Sequence, residues 1–203
     1  MSNVEKSVKQ QFAKVFKPSD WRLFKHVADV YLRQAAFLRK RDVRASSQLK
    51  LLVRNAQKRL LIGVGIELLL KALYLRNGYA INRVEQKNKM LKFPFGLDEV
   101  KGLQVLDGET FQLASLIDQI SKVIHLSDGE AALNGLKIAK VFRNKEGHVI
   151  TSHHAFDASN YRDIEFALRK LYREGFSESL DVRFSLGPNE QPVWKVRRNR
   201  SLG

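Results

Sequence analysis

Apolar residues recur at three- and four-residue steps over a long stretch of this chain, and no other feature constrains its fold as strongly. Leu49, Leu52, Val53, Ala56, Leu60, Val64, Leu68, Ala72 and Leu75 hold a helical period. The spacing predicts one helix over about 43–77. Asn77-Gly78 supplies its stop, because glycine accepts the left-handed conformation past a last turn. Such a helix draws most of its stability from elements packed on its apolar side. Gly63 and Gly65 weaken it by roughly 1 kcal/mol each relative to Ala, which is tolerable where another backbone packs close.

The rest of the chain supplies the packing partners. Trp21, Phe24, Val27, Ala28, Tyr31, Ala35 and Leu38 predict an earlier helix, with Ser19 as its N-cap and Arg39-Lys40-Arg41-Asp42 as a charged link after it. Residues 1–18 read as a basic amphipathic lead-in. Residues 79–108 hold Pro94 and little periodicity and read as a long loop anchored by Phe93-Pro94-Phe95; loops of this length are often functional. A third helix is expected over about 109–126, with Phe111, Leu113, Leu116, Ile117, Ile120 and Ile124 inward. A fourth is capped by Ser127-Asp128 and carries Leu133, Leu136, Ala139 and Phe142, and a fifth covers about 158–174.

Leu180 to Phe184 and Val193 to Val196 alternate about Gly187-Pro188-Asn189, the pattern of a short β-hairpin. The expected fold class is therefore all-α, a helical bundle of about five helices with a short C-terminal β-hairpin or tail. At 203 residues the chain suits one buried core, with a helical domain over 1–176 and the hairpin and basic tail over 177–203 in the same unit.

Charge narrows the partners. Thirty-six Lys and Arg against 21 acids leave a net charge of +15, a field that favours polyanions such as RNA, DNA or an anionic membrane surface. The absence of cysteine excludes disulfides, thiolate metal sites and a Cys nucleophile, and accords with a reducing cytoplasm. Leu60 to Leu70 is too short to span a bilayer and contains Glu67, and the polar N-terminus has no secretory h-region. A cytoplasmic protein without a membrane partner is expected.

One hexapeptide carries the chemistry: Arg143-Asn144-Lys145-Glu146-Gly147-His148. A guanidinium, an amide and an imidazole can together bind a phosphodiester, hold its developing charge and move a proton near neutral pH without a metal. On a straight helix Arg143 and His148 lie about 140° apart, so convergence needs a bend at Gly147 or a second motif across a two-fold axis. The plain reading is a helix end, with Arg143 and Lys145 complementing the dipole and Gly147 as the cap.

The segment Arg143-Asn144-x-x-x-His148 resembles the signature of the HEPN superfamily (higher eukaryotes and prokaryotes nucleotide-binding domains), an Arg and a His four to six residues apart, with a polar residue directly after the Arg. Ile138 to Phe142 resembles the helical approach to that motif. Gly65 to Lys71 resembles the Glu- and Lys-bearing core helix upstream. The likeness spans roughly residues 20–175. It implies a metal-independent endoribonuclease, active in toxin–antitoxin or phage-defence systems, and a homodimer through the motif-bearing helices, with an antitoxin or regulatory protein as a further partner. Arg143, Asn144 and His148 would be the catalytic set, His148 as general base or acid, and no cofactor or metal is implied. Ile150 stands where the branch paired with a nucleotidyltransferase antitoxin often has Tyr, a departure from that branch.

Glu67 and Lys71, four residues apart, read either as an intrahelical ion pair or as a support that tethers Arg143. Arg39, Lys40, Arg41, Arg44 and Lys145, with Arg197, Arg198 and Arg200 of the tail, are candidate RNA-backbone contacts. Trp194 reads more readily as hairpin packing than as a base-stacking platform. His153-His154 and Asp157 have no third ligand at a familiar metal spacing. The rival to a nuclease is a non-catalytic HEPN-like module that binds RNA, a nucleotide or a protein. A third reading is a helical protein whose basic face meets acidic partners through charge alone.

Overall fold

Two long helices form where the periodicity places them, α1 over Trp21–Asp42 and α2 over Gln48–Arg76. The computed structural model describes residues 21–42, 48–86, 89–100, 104–146 and 156–185, so the lead-in and Ser19 lie outside the described residues. The charged stretch Arg39 to Asp42 is not a link but the end of α1. Arg and Lys are good helix formers, and buried Leu38 holds the preceding turn. At the other boundary α2 stops as expected. Asn77 Nδ2 donates to the Leu73 carbonyl at 2.8 Å, and Gly78 takes φ +81°.

The described residues are mostly helical and hold five α-helices: α3 is Leu113–Asp118, α4 is Gly129–Glu146, and α5 is Ala158–Lys170, continued by a π-helical turn at Leu171–Gly175. Asp157 starts α5 by accepting from the backbone N–H groups of Ser159 and Asn160, while Asn160 returns a bond to the Asp157 N–H. The Ser159 hydroxyl, together with these N–H groups, holds the Asp157 carboxyl below its usual range. Ser127 and Asp128 precede α4, but their side chains receive Lys170 at 2.7 Å each, tying the start of α4 to the end of α5.

Two sequence expectations are corrected in the middle of the chain. Residues 79–108 are not a structureless loop. They hold β1 (Asn82–Gln86), β2 (Lys89–Met90) and most of β3 (Gln104–Thr110), in an antiparallel sheet of order β2-β1-β3 with Val84 opposite Val105 and a bulge between Asn82 and Val84. Within β1 only Val84 is apolar, so the strand shows no alternation for a sequence to reveal. The third helix is also shorter than expected. Phe111 N–H donates to the Ile81 carbonyl at 2.8 Å, which extends the sheet bonding past Thr110, and α3 begins only at Leu113. The anchoring of this region by Phe93 and Phe95 holds: Phe93 lies 4.0 Å from Phe111 and 5.0 Å from Tyr74, ring centre to ring centre.

The core is continuous. α1 packs on α2, α2 on α4, and α4 on α5. Beyond α5, Leu180, Val182 and Phe184 are buried while Asp181 and Arg183 face solvent, so the alternation is real. No strand forms over 180–185, however. The Phe184 N–H is instead taken by the buried Glu165 carboxylate at 2.7 Å, which docks the segment on α5. The remainder of the expected hairpin, Trp194 and the tail lie outside the described residues.

A polar knot holds the same segment to α1. Lys25 bridges Asp29 at 3.1 Å and Glu178 at 2.7 Å, and the Tyr172 hydroxyl donates to Asp29. Burial works against the Lys25 charge, but the bonds to Glu178 and Asp29 outweigh it and raise the pKa. Among the described residues no helix is long and apolar enough to cross a membrane.

Candidate active site

Two glycines set where the helices touch. A Cβ on Gly63 of α2 would stand 2.5 Å from Arg143 Cβ and 2.8 Å from Arg143 Cα, so α4 crosses α2 at this point only because Gly63 has no side chain. Gly135, two turns earlier in α4, allows the same closeness to α5, where an added Cβ would run into the Asp163 carbonyl and Ala167. The residue before the arginine sets its direction. Phe142 is fully buried against Phe156, at 4.6 Å, and Tyr161, at 5.4 Å, which leaves Arg143 on the neighbouring side of α4, toward α2.

Glu67 is one turn beyond Gly63 and Lys71 one turn beyond Glu67, so all three share a row on α2. Glu67 thereby meets Arg143. Its Oε2 accepts from Arg143 Nε at 2.9 Å, and its Oε1 accepts from Lys71 Nζ at 2.8 Å. A buried carboxylate needs such partners, and here each oxygen has one cation. The two sequence readings of Glu67 are both realised: it pairs within its own helix and it tethers the arginine.

The geometry leaves Arg143 half committed. Guanidinium carries five N–H donors, and Nε uses one of them on Glu67. Among the described residues Nη1 and Nη2 have no partner, and the side chain is 41% exposed. The group is therefore fixed at its root, and no described residue claims its tip, the arrangement needed to grip two oxygens of an external phosphate. Two cations against one carboxylate leave the cluster with an excess of one positive charge. Asn144 is exposed one position further along α4.

Other candidates are placed unevenly. Lys145 lies in the last turn of α4, and Lys40 and Arg41 lie in the last turn of α1, with only their backbones described. Arg39 lies on α1 beside Arg33 and, from the far end of the chain, Arg183. Arg44, His148, His153, His154, Arg197, Arg198 and Arg200 fall outside the described residues, so Arg143 and Asn144 are the members of the expected catalytic set with a described position. Asp157, which follows the histidine pair, is committed to capping α5. Sequence reasoning missed Arg33 and Arg183. They stand 150 positions apart, and no local motif joins them.

Comparison with protein-family models, with curated proteins and with solved structures finds no match to this chain.

Proposed function

We propose that the protein is a metal-independent endoribonuclease of the HEPN type, with Arg143, Asn144 and His148 as its catalytic set and Glu67 and Lys71 as their support. The observation that carries this reading is the Glu67–Arg143 tether. It holds by Nε a guanidinium on a side chain that is 41% exposed, on the arginine that the motif resemblance singles out. A plain helix-end arginine would need no buried carboxylate brought in from another helix.

The reaction balances without water. A ribose 2′-OH attacks the adjacent phosphorus, the bond from phosphorus to O5′ breaks, and the products are a 2′,3′-cyclic phosphate and a 5′-OH. One proton leaves the 2′-OH and one reaches O5′. His148 serves one of these transfers, since an imidazole can act as either acid or base near neutral pH. Arg143 holds the non-bridging oxygens as charge grows on them, and Asn144 orients the phosphate. A dimer across the motif-bearing helices would bring a second motif to the same phosphate.

Cleavage of labelled single-stranded RNA in excess EDTA tests the reading. The wild type is expected to yield cyclic-phosphate ends, and His148→Ala to lose on the order of a hundredfold or more in rate. Cleavage that persists in His148→Ala overturns the catalytic assignment. RNA binding without cleavage by either protein favours the non-catalytic HEPN-like module.

A further inference from the structure

On α4 the arginine at 143 closes a regular basic spacing, Lys137-x-x-Lys140-x-x-Arg143. The helix buries Ala132, Leu136, Ala139 and Phe142 in the core and leaves Asn134, Lys137 and Asn144 exposed, with Lys140 half-buried among them. At about 100° per residue, Lys137, Lys140 and Asn144 fall within about 60° of arc, one row about 10 Å long. Lys140 joins this row to the arginine. It stands three residues from Arg143 and four from Asn144, the two spacings at which helical side chains are neighbours.

Both lysines are uncommitted. Lys25, Lys71 and Lys170 each meet a carboxylate. Among the described residues Lys137 and Lys140 have no hydrogen-bond or ion-pair partner. No acid lies on α4 between Glu130 and Glu146 to offset them. Their charges add to the single positive charge in excess at Glu67. Like charges one turn apart work against a helix, and a bound polyanion relieves them.

We propose that α4 is the track for the RNA strand, with Lys140 sharing the scissile phosphate with Arg143 and Lys137 holding the neighbouring phosphate. The two kinds of cation suit different tasks. Arg143, held by Nε, defines where the reacting phosphate sits, while an ammonium on a flexible stem can follow a phosphate as a point charge. The proposal rests on the nuclease reading for the identity of the reacting phosphate, but the row would bind a strand in either case.

Steady-state cleavage in EDTA is compared for a labelled RNA decamer and for a dinucleoside monophosphate, which has one phosphate. Lys140→Gln is expected to lower kcat about tenfold on both, less than the loss of a sole donor because Arg143 remains. Lys140→Arg should restore most of it. Lys137→Gln is expected to raise KM about fivefold on the decamer with kcat unchanged, and to leave the dinucleotide untouched. Decamer binding to the chain carrying His148→Ala, over a salt series, reads the row without catalysis. There each glutamine substitution should weaken binding about fivefold and lower the salt dependence by about one counterion. Glutamine suits a helix nearly as well as lysine, and circular dichroism melts confirm folding. Lys122→Gln, on the 3-10 turn Ile120–Lys122, removes a charge from another element and should change none of these values. An equal loss in Lys122→Gln would reduce the row to net charge and overturn the track. Row-dependent binding without wild-type cleavage sinks the nuclease alone. Wild-type constants and binding in both row variants sink the track alone if the wild type cleaves, and both readings if it does not.

Discussion

The two halves of α2 treat the same helical period in opposite ways. In the C-terminal half Ile62, Ile66, Leu69, Leu70 and Leu73 are fully buried, and even Glu67 and Lys71 are taken inside. In the N-terminal half Leu52, Val53 and Leu60 are 57%, 55% and 38% exposed, although Lys58 beside them is buried beneath the Tyr161 ring at 5.0 Å. Burial along this helix follows what crosses it rather than the polarity of its residues. Around Gly63 and Gly65, α4 and α1 both come close, and a charge there is accepted because another helix brings its counter-charge. Where no helix crosses so closely, apolar side chains stay in water.

The largest effect should come from emptying the crowded half. Leu69→Ala is expected to cost about 2–5 kcal/mol, the range for a fully buried leucine whose site cannot collapse. Urea unfolding measures it, and a loss below 1 kcal/mol would erase the contrast between the halves. Next comes Gly63→Ala, which inverts an ordinary rule. Alanine normally strengthens a helix by about 1 kcal/mol over glycine. Here the new methyl meets the backbone and Cβ of Arg143, neither of which is a flexible chain end, and overpacking costs about 1–3 kcal/mol. A lower melting temperature together with slower RNA cleavage is expected. A stabilised protein with unchanged cleavage would show that α4 can give way without moving the arginine.

These contrasts also mark how far the sequence could be read. The helices were legible because periodicity is local, and the glycine at 63 implied a close backbone without saying whose. Glu67 and Arg143 were each legible as chemistry, since an acid in an apolar helix needs a partner and the arginine heads a short motif. Their meeting depended on the crossing, 76 residues apart in the chain. The sheet was hidden because β1, Asn82–Gln86, has a single apolar residue, so pairing through the backbone left no alternation to see. The segment at 180–184 showed its alternation, but that pattern reports one buried face and not what covers it. The segment joins the helical core there, with Glu165 of α5 supplying the acceptor.

The smallest expected effect sharpens the comparison most. Leu52→Gln and Val53→Gln replace exposed apolar residues by one that favours a helix nearly as well as leucine and better than valine, so each should change stability by no more than about 0.5 kcal/mol. Chemical denaturation at two protein concentrations tests this, because stability gained by association rises with concentration whereas stability within one chain does not. A small and concentration-independent change keeps the halves distinct. A loss of about 2 kcal/mol with a concentration-dependent midpoint would mean that a second copy covers this face in solution. The row through Val53, Leu60, Val64 and Glu67 would then be one seam, closed within the chain at Arg143 and between chains beyond it.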